Sequence, residues 1–249
     1  MITDFHFYLA AVPAVILLGL AKGGFAGVGT LAVPLLALVV SPVQAAAITL
    51  PILMIQDAIS VFAYWKKWDT RNLLILLPSS VIGIVLAFLL AKHVSDAAFY
   101  IALGIISAVF GARSLFAQDI TPKKAGVPAG IFWGAASGFT SMIANAGAPP
   151  FQLYMLPQRL PREAFVGTSM AFFAVVNWLK LPGFVALGQF THQNMLTTAV
   201  LIPLAVASTW AGIWLVRRTS NERFYKIIYA LMILVGLKLL HSGAELLLG

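Results

Sequence analysis

The chain consists of long apolar segments separated by short stretches that hold charged residues, proline or glycine. These segments lie at about residues 7–21, 25–40, 45–64, 73–91, 97–116, 128–156, 164–187, 194–216 and 224–248. About 20 helical residues cross the ~30 Å hydrocarbon core of a bilayer. The pattern therefore predicts an all-α polytopic membrane protein with transmembrane helices at 45–64, 73–91, 97–116, 164–187, 194–216 and 224–248.

The other three segments are too short, or too interrupted, to cross the membrane as one helix. Segments 7–21 and 25–40 have 15 or 16 residues each and are separated by Lys22-Gly23-Gly24. As helices they would reach only about 22 to 24 Å. Segment 128–156 is interrupted by the residues NAGAPP at 145–150. We predict a re-entrant helical hairpin over 7–40 and a second pair of broken helices over 128–156.

The two halves of the chain resemble each other at an offset of roughly 120 to 125 residues. The matching stretches are 95–100 (SDAAFY) with 220–225 (SNERFY), and 68–72 (WDTRN) with 190–194 (FTHQN). We therefore predict two repeats, residues 1–126 and 127–249, each a broken re-entrant helix pair followed by three transmembrane helices. Interrupted segments in corresponding halves indicate a transporter site at the interface between the repeats.

The distribution of Lys and Arg residues among the loops distinguishes between two membrane topologies. If each broken pair crosses the membrane once, thirteen Lys and Arg residues divide six against seven between the two sides. If each pair returns to its own side, twelve lie on one side and only Lys92 lies opposite. Cytoplasmic loops carry an excess of Lys and Arg, which favours the second topology. It predicts inverted repeats with both termini outside.

The composition agrees with a membrane protein and excludes other classes. Hydrophobic residues make up 61% of the chain and charged residues 10%, and the mean hydropathy is +0.95, whereas ordinary soluble domains are about half apolar and about a quarter charged. A soluble enzyme and a nucleic-acid partner are excluded, and the net charge of +8 is assigned to cytoplasmic loops. The chain has no cysteine, and its histidines lack metal-ligand spacing. We expect no metal and no cofactor.

Several motifs together resemble a known family. They are KGGFAGVGTLAVP at 22–34, SGFTSMIANAGAPP at 137–150, Gly167-Thr168-Ser169, and the spaced pair Asn177 and Lys180. These stretches resemble the TauE/SafE sulfite exporter family of bacterial membrane transporters over essentially the whole chain. The resemblance implies secondary transport of a small sulfur-containing anion, sulfite or an organosulfonate, usually outward and ion-coupled, across the bacterial cytoplasmic (inner) membrane.

In the first half, Lys22 is the leading candidate for a substrate contact. A charge inside a membrane span costs about 2.5–3.5 kcal/mol on insertion scales, so it needs a partner, water or a function. Lys22 lies at the predicted hairpin tip, where the amides at the start of the next helix would also favour an anion; alternatively, it bonds hairpin carbonyls or snorkels to water. Gly23 and Gly24 permit a tight turn with exposed amides, or else allow close helix packing.

In the second half, Ser137 and Asn145 supply neutral hydrogen-bonding groups near the interruption. Asn177 and Lys180 are three residues apart and share one helix face, so Lys180 could hold an oxyanion opposite Lys22; alternatively, it snorkels towards the outer end. Asp57, in the span 45–64, could take up a proton and couple transport to the proton gradient. It could equally be the structural partner of a lysine.

These residues predict a secondary transporter that binds its anion near the midplane and works by alternating access between inverted repeats. A passive anion channel is the alternative, because opposed half-helices can also form a selectivity filter. An importer of another small organic anion is a further alternative. A membrane-embedded enzyme is not supported, since no second acid–base group is suggested by spacing. The partners are the substrate and the lipid bilayer, and the sequence does not determine the oligomeric state.

Overall fold

The computed structural model describes residues 1–25, 28–36, 39–40, 42–90, 97, 101, 104–105, 108–109, 111–112, 115–116, 126–186, 188 and 190–248. The helices with defined bounds are α1 (Phe5–Gly23), α2 (Ala32–Leu36), α3 (Pro42–Ala63), α4 (Thr70–Leu90), α5 (Val127–Ala144), α6 (Ala148–Met155), α7 (Arg162–Ala186), α8 (His192–Arg218) and α9 (Asn221–Leu248), with 3-10 turns at Val28–Leu31 and Leu156–Gln158. The described residues contain no strand, which confirms the all-α class.

Six of these helices are long and apolar enough to cross a membrane, namely α1, α3, α4, α7, α8 and α9. The last five coincide with predicted spans. Most of the predicted span 97–116 lies outside the described residues, as do Lys92 and the loop cations at 113, 123 and 124. The structure thus has the multi-pass helical organisation expected from the apolar pattern.

The prediction that the first helix is too short was wrong. The helix α1 has 19 residues, which correspond to about 28 Å. It begins early because the Asp4 side chain accepts a hydrogen bond from the His6 N–H, and it continues through Lys22 to Gly23. Such an N-cap satisfies an amide that the first turn leaves unpaired. The helix therefore nearly matches the thickness of a bilayer core.

The two chain breaks follow α1 and α5. Gly24 ends α1 with φ of 137°, a conformation open to glycine because it lacks a Cβ. Asn145 ends α5 in the left-handed region with φ of 52°, and Pro149 stands in the first turn of α6. A proline is tolerated there because the first-turn amides have no partner within the helix.

Each broken helix pair begins and ends at the N-terminal end of a helix from the other half of the chain. For the first pair, the Ile2 N–H donates to Thr197 Oγ1 (2.9 Å), and Gln44 Nε2 donates to Asn194 Oδ1 (3.1 Å). Thr197 and Asn194 both lie at the start of α8. The start and the end of the first pair therefore lie at the same end of α8.

The second pair has the matching arrangement at the start of α4. The amides of Asn72 and Gln158 hydrogen bond to each other, at 3.0 and 3.2 Å. Gly130, near the start of α5, packs against Ile75 and Tyr154. The start and the end of the second pair therefore lie at the same end of α4.

Small residues allow these helices to approach closely. Gly19 and Gly23 of α1 pack against Ser208 and Gly212 of α8. A matching contact joins Gly134 and Gly138 of α5 to Ser79 and Ser80 of α4. Contacts of this kind are typical of membrane helices, where packing and not water exclusion drives association.

Replacing Gly138 by alanine is expected to destabilise the α4–α5 contact, because its Cβ would overlap the backbone carbonyl of Ser80. Overpacking of this kind costs about 1–3 kcal/mol, so the melting temperature of the purified protein should fall. Gly183→Ala is the matched control. Its Cβ would lie 2.9 Å from the flexible end of Met142, which can move. Equal melting temperatures for the two variants would contradict the prediction.

The helices α3 and α7 form the centre of the described bundle. They are more buried than the other candidate spans, with 61% and 56% of their apolar windows inside the protein. Both chain breaks lie beside this central pair, since Ser60 of α3 donates to the carbonyl of Lys22 and Lys180 of α7 donates to Asn145. The centre of the bundle is therefore the place where polar groups from both halves meet.

Candidate functional site

A cavity of about 60 Å³ lies between the two chain breaks, beside α3 and α7. Its polar lining consists of Lys22, Thr49, Ser141, Asn145, Ser169, Asn177 and Lys180, and its apolar lining includes Phe173. A buried water needs about 10–15 Å³ measured in this way. The cavity therefore has room for a few water molecules or for one small ion.

The first polar cluster joins three residues from three helices. Lys22 Nζ lies 2.5 Å from Asp57 Oδ1, and Asn177 Nδ2 donates to Asp57 Oδ2 at 2.6 Å. All three are buried, with Lys22 only 7% exposed. Lys22 therefore does not snorkel to water. In the structure Asp57 is instead the salt-bridge partner of this lysine, which is the second of the two roles considered for Asp57.

The second polar cluster surrounds Lys180. Its Nζ donates to Asn145 Oδ1 at 2.6 Å and to the carbonyl of Ser141 at 3.3 Å. Asn145 in turn donates to Thr49 Oγ1 at 3.5 Å. Lys180 is 1% exposed, so it does not snorkel either. The left-handed backbone at Asn145 turns this side chain towards the lysine.

The two lysines differ in how their charge is compensated. Lys22 has a carboxylate partner, whereas Lys180 has only neutral oxygens as hydrogen-bond partners among the described residues. An ammonium has three N–H donors, and two of those on Lys180 are used. With two ammonium groups and one carboxylate ionised, the site carries one net positive charge. Such a site attracts an anion.

The break at Gly24 differs from the predicted anion-binding turn. The Gly24 N–H donates to the carbonyls of Ala21 and Leu20, and the Gly23 carbonyl accepts from Tyr64 OH at 3.0 Å. Because α1 continues to Gly23, Lys22 stands in the last turn of a helix, where carbonyls point outward and favour a cation. Gly23 and Gly24 thus shape the break, and the Gly23 carbonyl and the Gly24 N–H are both hydrogen bonded within the protein.

Ser137 holds the second break together. Its hydroxyl donates to the Gly147 carbonyl at 2.7 Å, and the Thr140 hydroxyl donates to the Ala146 carbonyl at 2.9 Å. These bonds satisfy backbone groups that the interruption leaves without helical partners, which irregular backbone at membrane depth requires. Ser137 is not among the residues that line the cavity, whereas Asn145 and Ala148 of this break are.

Thr49, Ser169 and Phe173 line the cavity but were not singled out as site residues from the sequence. Ser169, Phe173, Asn177 and Lys180 follow one another along α7 at intervals of four, four and three residues. That spacing places them on one helix face, so extending the predicted pair Asn177 and Lys180 towards the N-terminus would have found two of them. Lys238 of α9 is half-buried and lies outside the cavity lining.

The family model for the sulfite exporter TauE/SafE matches residues 11–239. The matched region contains both breaks and every residue that lines the cavity. No curated protein and no solved structure matches the chain. With nearly the whole chain matched and six apolar helices of spanning length, the chain belongs to the TauE/SafE sulfite exporter family and is a multi-pass membrane transporter.

Proposed function

We propose that this protein is a secondary transporter of a small sulfur-containing anion, sulfite or an organosulfonate, which binds in the cavity between Lys22 and Lys180. The observation that carries the proposal is the buried amino group of Lys180, which lines the cavity and has only neutral hydrogen-bond partners among the described residues. A buried charge in this position is costly, and a bound anion would supply the missing countercharge. The family supplies the class of anion.

We further propose that the two halves are inverted repeats and that their relative movement opens the cavity to either side in turn. Contacts between the two halves of the chain support this. The first helix of each broken pair packs on a span of the other half, α1 on α8 and α5 on α4. In transporters built from inverted repeats, the site lies at the repeat interface and one repeat moves against the other. The position of the cavity between the two breaks supports this proposal.

The proposed orientation places both termini outside the bacterial inner membrane. One end of the bundle gathers cations, as shown by the Lys67–Glu163 salt bridge at 3.1 Å, the Arg217 bond to the Ala63 carbonyl, and the Arg162 bond to the Thr219 carbonyl. The opposite end, where α1 and α8 start, has no Lys or Arg in residues 1–9 and 190–200. The cation-rich end is assigned to the cytoplasm because cytoplasmic loops collect Lys and Arg.

Flux measurements in proteoliposomes test the transport proposal. Purified protein is expected to exchange labelled sulfite or a short sulfonate for unlabelled anion in a saturable manner. A passive channel would instead equilibrate the anion without saturation and would give single-channel currents. Liposomes that show no flux of sulfite or sulfonates, with or without a proton gradient, would refute the proposal.

Replacing Asp57 by asparagine is expected to remove the effect of a proton gradient on flux and to tighten anion binding. We propose that a proton on Asp57 releases Lys22 to the anion, and the substitution imitates that protonated state by raising the net charge of the site from one to two. The measurements are sulfite flux with and without an imposed pH gradient, and sulfite affinity. Asp4→Asn, at the exposed start of α1, is the control. A variant as sensitive to the gradient as the unchanged protein would contradict the coupling role.

A further inference from the structure

Ser169 has a buried hydroxyl that faces the cavity. Its residue is 0% exposed, and its Oγ has no hydrogen-bond partner among the described residues. It lines the cavity together with Asn177 and Lys180 of the same helix. An unpaired polar group in a protein interior is unusual, because such groups lose their bonds to water without replacement.

The lack of a partner is not explained by the local helix. Serine and threonine in helices commonly donate to the carbonyl three or four residues before them. Thr168, the preceding residue, donates to the Ala164 carbonyl at 2.6 Å, and Ser60 donates to the Gln56 carbonyl at 2.8 Å. Ser169 makes no such bond among the described residues, so its hydrogen remains available to something in the cavity.

The electrostatics of the cavity indicate what that partner is. Lys180 lies on the same helix face as Ser169, about three turns further along, and lacks a carboxylate hydrogen-bond partner in the described part of the chain. A ligand that binds both groups must accept hydrogen bonds and carry negative charge. An oxyanion meets both requirements, because its oxygens accept hydrogen bonds and form strong bonds with charged donors.

We propose that Ser169 is a substrate-binding residue that donates its hydroxyl hydrogen to an oxygen of the bound anion. The inference rests on the proposed function and adds a ligand contact to it. Ser169 and Lys180 both line the cavity, so the lysine would supply charge there and the hydroxyl would supply a directed bond. A directed donor of this kind favours anions with oxygen acceptors over anions of equal charge that lack them.

The test compares Ser169→Ala with the unchanged protein by two measurements, sulfite affinity by calorimetry and melting temperature without ligand. Losing a hydrogen bond to a charged group weakens binding by about 10-fold or more. The melting temperature should stay the same or rise, because the substitution removes a buried hydroxyl that is unpaired in the empty site. This combination separates a ligand contact from a structural hydroxyl, whose loss would lower the melting temperature.

Ser80→Ala is the matched control. Ser80 is also 0% exposed in a transmembrane helix, but its hydroxyl donates to the Leu77 carbonyl at 2.7 Å and lies outside the cavity lining. Its replacement should leave sulfite affinity unchanged. Ser169→Ala binding sulfite as tightly as the unchanged protein would overturn this inference alone. An unchanged protein that binds neither sulfite nor methanesulfonate would overturn the proposed function, and this inference with it.

Discussion

Replacing Lys22 by methionine is expected to lower the free energy of unfolding by about 3–5 kcal/mol, because it leaves the buried carboxylate of Asp57 without its countercharge. The Lys22–Asp57 pair is among the most buried charged contacts described, with side chains 8% and 2% exposed. Anion transport should be lost as well, because the anion loses the ammonium group of Lys22 as a binding partner. Thermal unfolding of the purified protein and sulfite flux in proteoliposomes measure the two effects.

A double variant separates the structural role of Lys22 from its role in binding. Adding Asp57→Asn to Lys22→Met removes the stranded carboxylate, so most of the lost stability should return while transport stays absent. A double variant as unstable as the single one would contradict the structural role of the pair. Recovered transport in the double variant would show that Lys22 serves only to neutralise Asp57.

Replacing Lys180 by methionine is expected to weaken anion binding by about 30-fold or more, which corresponds to the 2 kcal/mol or more lost when a buried charged partner is truncated. The free energy of unfolding should not fall, in contrast to that of Lys22→Met. Replacing Lys180 leaves no carboxylate without a countercharge, and it removes a buried charge that is itself costly. The different effects on stability follow from one structural difference, the carboxylate partner of Lys22. Sulfite affinity and melting temperature, measured on both variants, test the contrast.

Two further variants sharpen the test of Lys180. Lys238→Met removes a half-buried lysine outside the cavity lining and should leave affinity unchanged. Asn145→Asp places a carboxylate where the amide oxygen now lies 2.6 Å from Lys180 Nζ, so it should compete with the anion and weaken binding. Sulfite affinity that is insensitive to both Lys180→Met and Asn145→Asp would show that the anion binds elsewhere.

The apolar pattern predicts most of the helices because the bilayer leaves few choices. Inside hydrocarbon, each backbone amide and carbonyl must be satisfied within the protein, and a helix does this locally. The lengths of the runs therefore indicated α3, α4, α7, α8 and α9. The ends of α1 were harder, because the Asp4 cap and the continuation through Lys22 depend on hydrogen bonds that an apolar run does not reveal.

The sequence identified the candidate residues individually, but it did not show which of them contact each other. Lys22, Asp57 and Lys180 stand out because charges are rare in apolar segments. Asp57 lies 35 positions from Lys22 and 120 positions from Asn177, so no local spacing indicates that they form one cluster. Ser169 was missed for a related reason. A serine in a membrane helix is common, and only the structure shows that its hydroxyl lacks the usual hydrogen bond to a carbonyl of the preceding turn.

The sequence by itself determined the membrane-spanning helical class and the positions of the two interruptions. It also identified the few charged residues inside apolar segments, where an uncompensated charge is costly. These depend on the composition of single segments, because the transfer of a residue into lipid is a local cost. Only the tertiary structure decided that Lys22 is neutralised by Asp57, that Lys180 is held by Asn145 without a countercharge, and that both face one cavity with Ser169. Those relations depend on distances between helices far apart in the chain, which side-chain packing sets.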